Sequence, residues 1–248
     1  AGDLELTNTR TIGSLFAPIE ASGKVKITNS GSITGTGIYA GSLALHNSGS
    51  IAGPIASRTD LTITNDGSIV LGTRGVAGSI RSETIGNLIN NGNIAAGTPP
   101  NALFATGQTG SLVNNGEITG VRIATGFLDP VSFSGSQANA TFSLDNKGKI
   151  TSSGILAAAD GAKVTVTNSG TITNSASPDA FTPSPAGFST VSAALNITNT
   201  GSIISESPNK LIDGGDVTIL NKNKIIVNST QAAISASKLT VTNTAVVE

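Results

Sequence analysis

The chain has no cysteine, no methionine and no tryptophan among its 248 residues, and only one histidine, His46. Without cysteine, neither a disulfide framework nor a thiolate metal site can form. Cysteine-free composition fits passage through a periplasm, but many cytosolic proteins share it, so it carries little weight. A single histidine excludes any multi-histidine metal site, and a Ser-His-Asp triad would have to use His46. His46 itself, one residue before Asn47, is expected to face outward as a solvated side chain.

Charge is also scarce. Asp, Glu, Lys and Arg make up 12% of the residues and the net charge is −1. Nucleic-acid binding, which needs a concentrated positive surface, is therefore not expected. No apolar run approaches the ~20 residues of a membrane-spanning helix. There is no initiating Met and no basic-then-apolar leader, so any export signal is expected to have been removed or to lie outside this sequence. Neither a GxSxG elbow nor a GxxxxGK[ST] loop occurs. Disorder is excluded too, because 38% of the residues are apolar and they are regularly spaced.

What is present is repetition. The pattern apolar-x-apolar-x-Asn-x-Gly-x-Ile recurs eleven times, as in "VKITNSGSI", "LTITNDGSI" and "VTVTNSGTI". Its Asn falls at Asn8, Asn29, Asn47, Asn65, Asn90, Asn114, Asn146, Asn168, Asn199, Asn221 and Asn243. Spacings of 18 to 22 residues predominate, with longer ones of 24 to 32. The residue two before each Asn is always Leu, Ile or Val, and Ile recurs four after it. Alternation with period two, rich in β-branched residues, predicts strands. No stretch sustains helical periodicity.

The recurring Gly, two after each Asn, is expected to turn a corner through positive φ, which only Gly and, less easily, Asn adopt cheaply. Asn223 in the tenth copy fits that reading; Arg10 and Ala245 depart from it in the first and last copies. If copies stack ~4.8 Å apart, each Asn would donate to the next and accept from the one before. The alternative is an Asn that caps its own turn. A second short motif, as in "GIYAGS", "PIASRTD" and "VRIATG", predicts another strand in each repeat. One such coil cannot bury its apolar residues alone, which forces a stack. The expected fold is all-β: a right-handed parallel β-helix (β-solenoid) of about eleven rungs of three short strands, with protruding loops, forming one domain over residues 1–248.

The strings "VTNSGTI", "ITNSGSI", "ITNDGSI" and "ITNTGSI", with "GIYAGS", resemble the passenger domains of bacterial autotransporters and related type V secreted adhesins. The resemblance covers nearly the whole chain. It implies a location on the bacterial cell surface or outer membrane, or secretion, and a translocator barrel in the outer membrane as partner of the full-length protein. It also implies that the sequence, starting and stopping inside repeats, is a piece of a longer passenger. It does not fix an activity, because such passengers include adhesins, self-associating proteins, proteases and toxins.

Catalytic signals are weak. A sugar-cleaving site needs carboxylates grouped on one face. The candidates are Asp60 with Asp66, Asp129, Asp160, and the pair Asp213 and Asp216 in "LIDGGD", which is also the best candidate turn for a metal ion. Thr-x-Thr pairs at Thr62/Thr64, Thr165/Thr167 and Thr240/Thr242 raise an ice-binding face, but Glu5, Lys26, His46, Asn87 and Asp145 interrupt the same columns. The long insertions hold Phe104, Phe127, Phe133, Phe181 and Phe188. Loops on a rigid scaffold concentrate binding residues, so these five are candidate partner contacts; alternatively they fold back over the solenoid flank. The expectation is a non-enzymatic adhesion or self-association module without cofactor. Its partners would be a host-surface or matrix protein, a glycan, or like molecules. The alternatives are a polysaccharide-degrading β-helix enzyme and a stalk presenting another domain.

Overall fold

The structure is a computed structural model, described here for residues 2–13, 18–72, 78–96, 102–125, 139–152, 154–159, 161–175, 187–228, 230 and 232–245. Every strand pairing is parallel, and the strands form two sheets of sixteen and ten. The chain winds from one sheet to the other and back once per repeat, a β-solenoid. Eleven strands end in the repeat Asn, from Leu4–Asn8 through Asp60–Asn65 and Thr109–Asn114 to Ile234–Asn243. Ten short strands centred on the recurrent Ile, such as Ser32–Thr34 and Ser202–Ser205, build the second sheet. These counts are close to the eleven rungs expected.

Each coil has three strand segments, and the large sheet contains two of them. The segments are separate in the middle of the stack, as in Ile55–Ser57 and Asp60–Asn65. Elsewhere they run together as one bent strand, as in Ile19–Asn29 and Ile212–Asn221. The bend is a bulge: register shifts between Ala21 and Lys24, where Ser22 and Gly23 lie opposite the single residue Gly41.

Alternation sets the core. Inward residues two and four before the Asn, such as Leu61 and Ile63 or Val164 and Val166, are buried, as is the Ile column of the other sheet, except in the end strands, where Leu4, Leu6, Ile12 and Ile225 are partly buried and Leu239 and Val241 exposed. Like residues stack on like: Leu45 on Ile63, Leu88 on Leu112, Ile150 on Ile172. Two strands break the column four before Asn, with Gly86 and Gly110. A Cβ on Gly110 would lie 2.6 Å from the Phe142 ring, and one on Gly86 would lie 2.5 Å from the Thr106 methyl. Bulky neighbours fill the volume that these glycines leave.

The corner glycines serve a purpose other than the one expected. None of Gly31, Gly49, Gly67, Gly92, Gly116, Gly148, Gly170 or Gly201 has positive φ; that conformation occurs at other glycines, such as Gly53 and Gly120. Instead, consecutive corners stack backbone on backbone. A Cβ on Gly49, Gly92 or Gly170 would stand 2.0 Å from the carbonyl oxygen of the corner Gly one coil earlier. The constraint is close approach between coils. It also explains Asn223, whose φ is not positive. Above this non-glycine corner the coil opens: Lys224 N–H reaches the Gly201 oxygen at 3.3 Å, whereas the six preceding equivalents from Gly49 upward, such as Thr171 to Gly148, are 2.9 Å.

Candidate interaction surface

The repeat Asn residues are buried except Asn243 in the last strand, and they realise both expected roles at once. Asn8, Asn29, Asn47, Asn65, Asn90, Asn114, Asn146, Asn168, Asn199, Asn221 and Asn243 form an unbroken ladder. Each Nδ2 donates to the Oδ1 of the next Asn at 2.7–2.8 Å. The same Nδ2 donates within its own turn, as from Asn114 to the Gly116 oxygen at 3.2 Å. It also reaches across to the next coil, as from Asn114 to the Lys149 oxygen at 3.1 Å. All the amides point the same way along the stack, so each bond polarises its neighbours in a dry interior. The ladder is a scaffold, and from Asn8 to Asn221 it is buried.

The Phe candidates divide. Phe104 lies in strand Ala102–Thr106 and Phe188 begins strand Phe188–Asn199; both are buried among the largest core side chains. Phe104 meets Phe142 edge to face, with ring centroids 6.1 Å apart. Neither belongs to a protruding loop, which removes both from the expected partner-contacting set. The physical reason is register: Phe104 stacks between Ile80 and Ile123, and Phe188 between Leu156 and Ile212, so each continues a column of buried apolar residues. The likeness of "LFATG" to "RIATG" in the second short motif was the signal available in the sequence. Phe127, Phe133 and Phe181 lie outside the described residues.

The carboxylate candidates do not converge. Asp213 lies in register with Ser189, ahead of the bulge, and Asp216 with Ala194, beyond it. Lys210 approaches Asp213 at 3.5 Å. Asp66 accepts from Asn91 Nδ2 at 2.7 Å and contacts His46 Nε2 at 2.8 Å. These bonds, Asn91 first, hold the Asp66 carboxyl below its usual range. Among the described residues no group of three or more acidic or histidine side chains gathers as a metal site would require. Asp129 and Asp160 lie outside the described residues.

The extended feature that remains is the outer face of the eleven Asn strands. Strand alternation presents three rows there, at one, three and five residues before each Asn. In the middle row Thr, Ser or Asn stands in eight of the eleven strands. The exceptions are Ala44 and the pair Glu5 and Lys26, which meet at 2.8 Å and so lower the Glu5 pKa and raise that of Lys26. Ile85 and Ile89, both exposed, lie near the middle of the stack at opposite edges of the face, with Asn87 between them. Towards one end, Ser42 and Ala44 floor a shallow groove of about 590 Å³ that Glu5, Lys24, Lys26 and Asp60 flank.

No family model, curated protein or solved structure matches the chain.

Proposed function

We propose that the chain is a non-catalytic adhesion or self-association module of a bacterial surface or secreted protein, built on a β-solenoid. In the full-length protein, an outer-membrane barrel would deliver it. One observation carries the reading: the uncovered outer face of eleven parallel strands, predominantly Thr, Ser and Asn in its middle row. Such a face offers many repeated hydrogen-bonding groups on a rigid frame, and weak contacts made in parallel sum to useful avidity. Candidate partners are a host-surface or matrix protein, a glycan, or a second copy of the chain.

Two measurements test this. The chain is screened against immobilised glycans and matrix proteins, and its sedimentation is followed over a wide concentration range. Saturable binding to either class of target, or concentration-dependent association, is expected. Monomeric behaviour with no bound target would favour a stalk, and cleavage of a glycan would overturn the non-catalytic reading.

A further inference from the structure

The row five residues before each ladder Asn carries six of the nine charged residues on the outer face; the others are Glu5, Lys26 and Asp145. Along the stack it contains Asp3, Lys24, Asp60, Lys163, Asp216 and Lys238, all exposed, with uncharged residues between. The middle of the eleven strands is Thr109–Asn114. Asp60 and Lys163 lie two strands from it on opposite sides, Lys24 and Asp216 four, and Asp3 and Lys238 five. At each distance the two signs are opposite. Among the described residues Lys24, Asp60, Lys163, Asp216 and Lys238 make no ion pair within the chain.

A row of charges that changes sign about its midpoint is complementary to its own image under a two-fold axis along the middle strand. We propose that two copies of this chain pair face to face through this surface, with their stacks antiparallel, about that axis. Each charged residue then meets an opposite one: Asp3 faces Lys238, Lys24 faces Asp216, and Asp60 faces Lys163 of the second copy. Because the contact is isologous, every pair occurs twice. The proposal rests on the self-association reading above and deepens it by naming the surface and the orientation.

The geometry supports one orientation. Turning the second copy about the stack axis instead keeps each strand opposite its own image. Glu5 would then face Glu5 and Lys26 would face Lys26, a repulsive arrangement. In the antiparallel arrangement these residues meet Thr240 and Thr218, and the Glu5–Lys26 pair stays intact. Size fits as well. Eleven strands at ~4.8 Å by five residues at ~3.4 Å give a face of roughly 850 Å². A specific interface buries about 800 Å² on each partner. Apolar side chains lie near the midpoint of the stack: Val113 on the axis beside Ile89, and Ile85 at the opposite edge of the same adjacent strand, the two isoleucines being 42% and 39% exposed. Asp145 comes opposite Ile89, but Lys147 holds its carboxylate at 3.2 Å in the same chain.

The experiment is a charge exchange followed by sedimentation at 50 mM and 500 mM salt, with circular dichroism to confirm that each variant is folded. Asp60→Lys places two lysines opposite each other in a homodimer, and Lys163→Glu places two carboxylates. Each single variant is expected to weaken dimerisation roughly tenfold or more at low salt. Mixing the two variants restores both pairs, so heterodimer is expected to form at wild-type affinity. The double variant Asp60→Lys/Lys163→Glu is expected to recover as well, and high salt is expected to shrink all these differences. A wild-type chain that stays monomeric overturns the proposal, while binding to a glycan or matrix protein in the same preparation would leave the adhesion reading standing. Dimerisation that neither single variant weakens, or that mixing does not restore, overturns this surface and orientation but not self-association itself.

Discussion

A Cβ on Gly92 would stand 2.0 Å from the carbonyl oxygen of Gly67, one coil earlier in the stack. The two residues are 25 apart in the chain, yet their backbones are in direct contact. This relationship repeats at corner after corner and sets the tightest steric limit on the repeat. Gly92→Ala is expected to force the coils apart locally and to cost about 3 kcal/mol, the upper end of what overpacking costs. Asn223→Ala, at the corner where the stack already accommodates a side chain, loses one exposed hydrogen bond to the Thr200 oxygen and is expected to cost about 1 kcal/mol or less. Urea unfolding of both variants, followed by circular dichroism, checks the contrast. Equal costs would show that the corner glycines are not set by coil contact.

The Asn ladder makes a second prediction. Asn114→Ala removes three donor bonds and leaves the buried Asn90 Nδ2 without its ladder acceptor. A cost of about 3 to 4 kcal/mol is expected, since an orphaned buried group adds to the lost bonds. Asn243 is exposed and is bonded to a ladder neighbour on one side only, so Asn243→Ala is expected to cost about 1 kcal/mol. Thermal melts of the two variants would separate a cooperative ladder from a row of independent turn caps, for which the costs would be alike.

Thr190 is buried, and among the described residues its hydroxyl has no hydrogen-bond partner. Thr190→Val keeps the shape and removes the unpaired oxygen. The variant is expected to be more stable by about 1 kcal/mol. A lower melting temperature would show that the hydroxyl is satisfied in solution.

Phe104→Ala is expected to cost about 3 to 5 kcal/mol, because it opens a cavity against Phe142 in a packed interior. Binding to any partner, measured well below the melting temperature, is expected to be unchanged. Loss of binding in a folded variant would return Phe104 to the surface.

Acid should act through Asp66. Its carboxyl is held below the ordinary range by Asn91 and then His46. The unfolded chain therefore takes up the proton first as pH falls, and the pair's contribution is present above about pH 4 and lost below it. Asp66→Asn is expected to lower the melting temperature slightly between pH 5 and 8, where the contribution is present, and to match the wild type below about pH 4, so that the fall on acidification is flatter. The effect is small because both side chains are exposed.

Much of this was legible because a solenoid writes its contacts into its period. Leu45, Ile63 and Leu88 recur at one place in the repeat, and alternation sends each of them inward. The Asn column was legible for the same reason, since equal residues one coil apart must meet. The role of Gly49 or Gly92 was not, because φ is a local property and the contact that matters joins residues from different coils. Phe104 follows an insertion that reads as a loop, and its register with Ile80 and Ile123 in the neighbouring coils is what places it in the interior.

By itself, then, the sequence determined the coil, its repeat length, the inward columns and the Asn that recurs in each, because periodicity and side-chain alternation are one-dimensional properties. The tertiary structure decided which backbones touch, which aromatic rings fill the core, and how six charges spread over more than 230 residues fall into one row of alternating strands. Those depend on the order and register in which the coils stack. Insertions of different length separate the copies along the chain, and hydrogen bonding between coils brings them back to a single spacing in space.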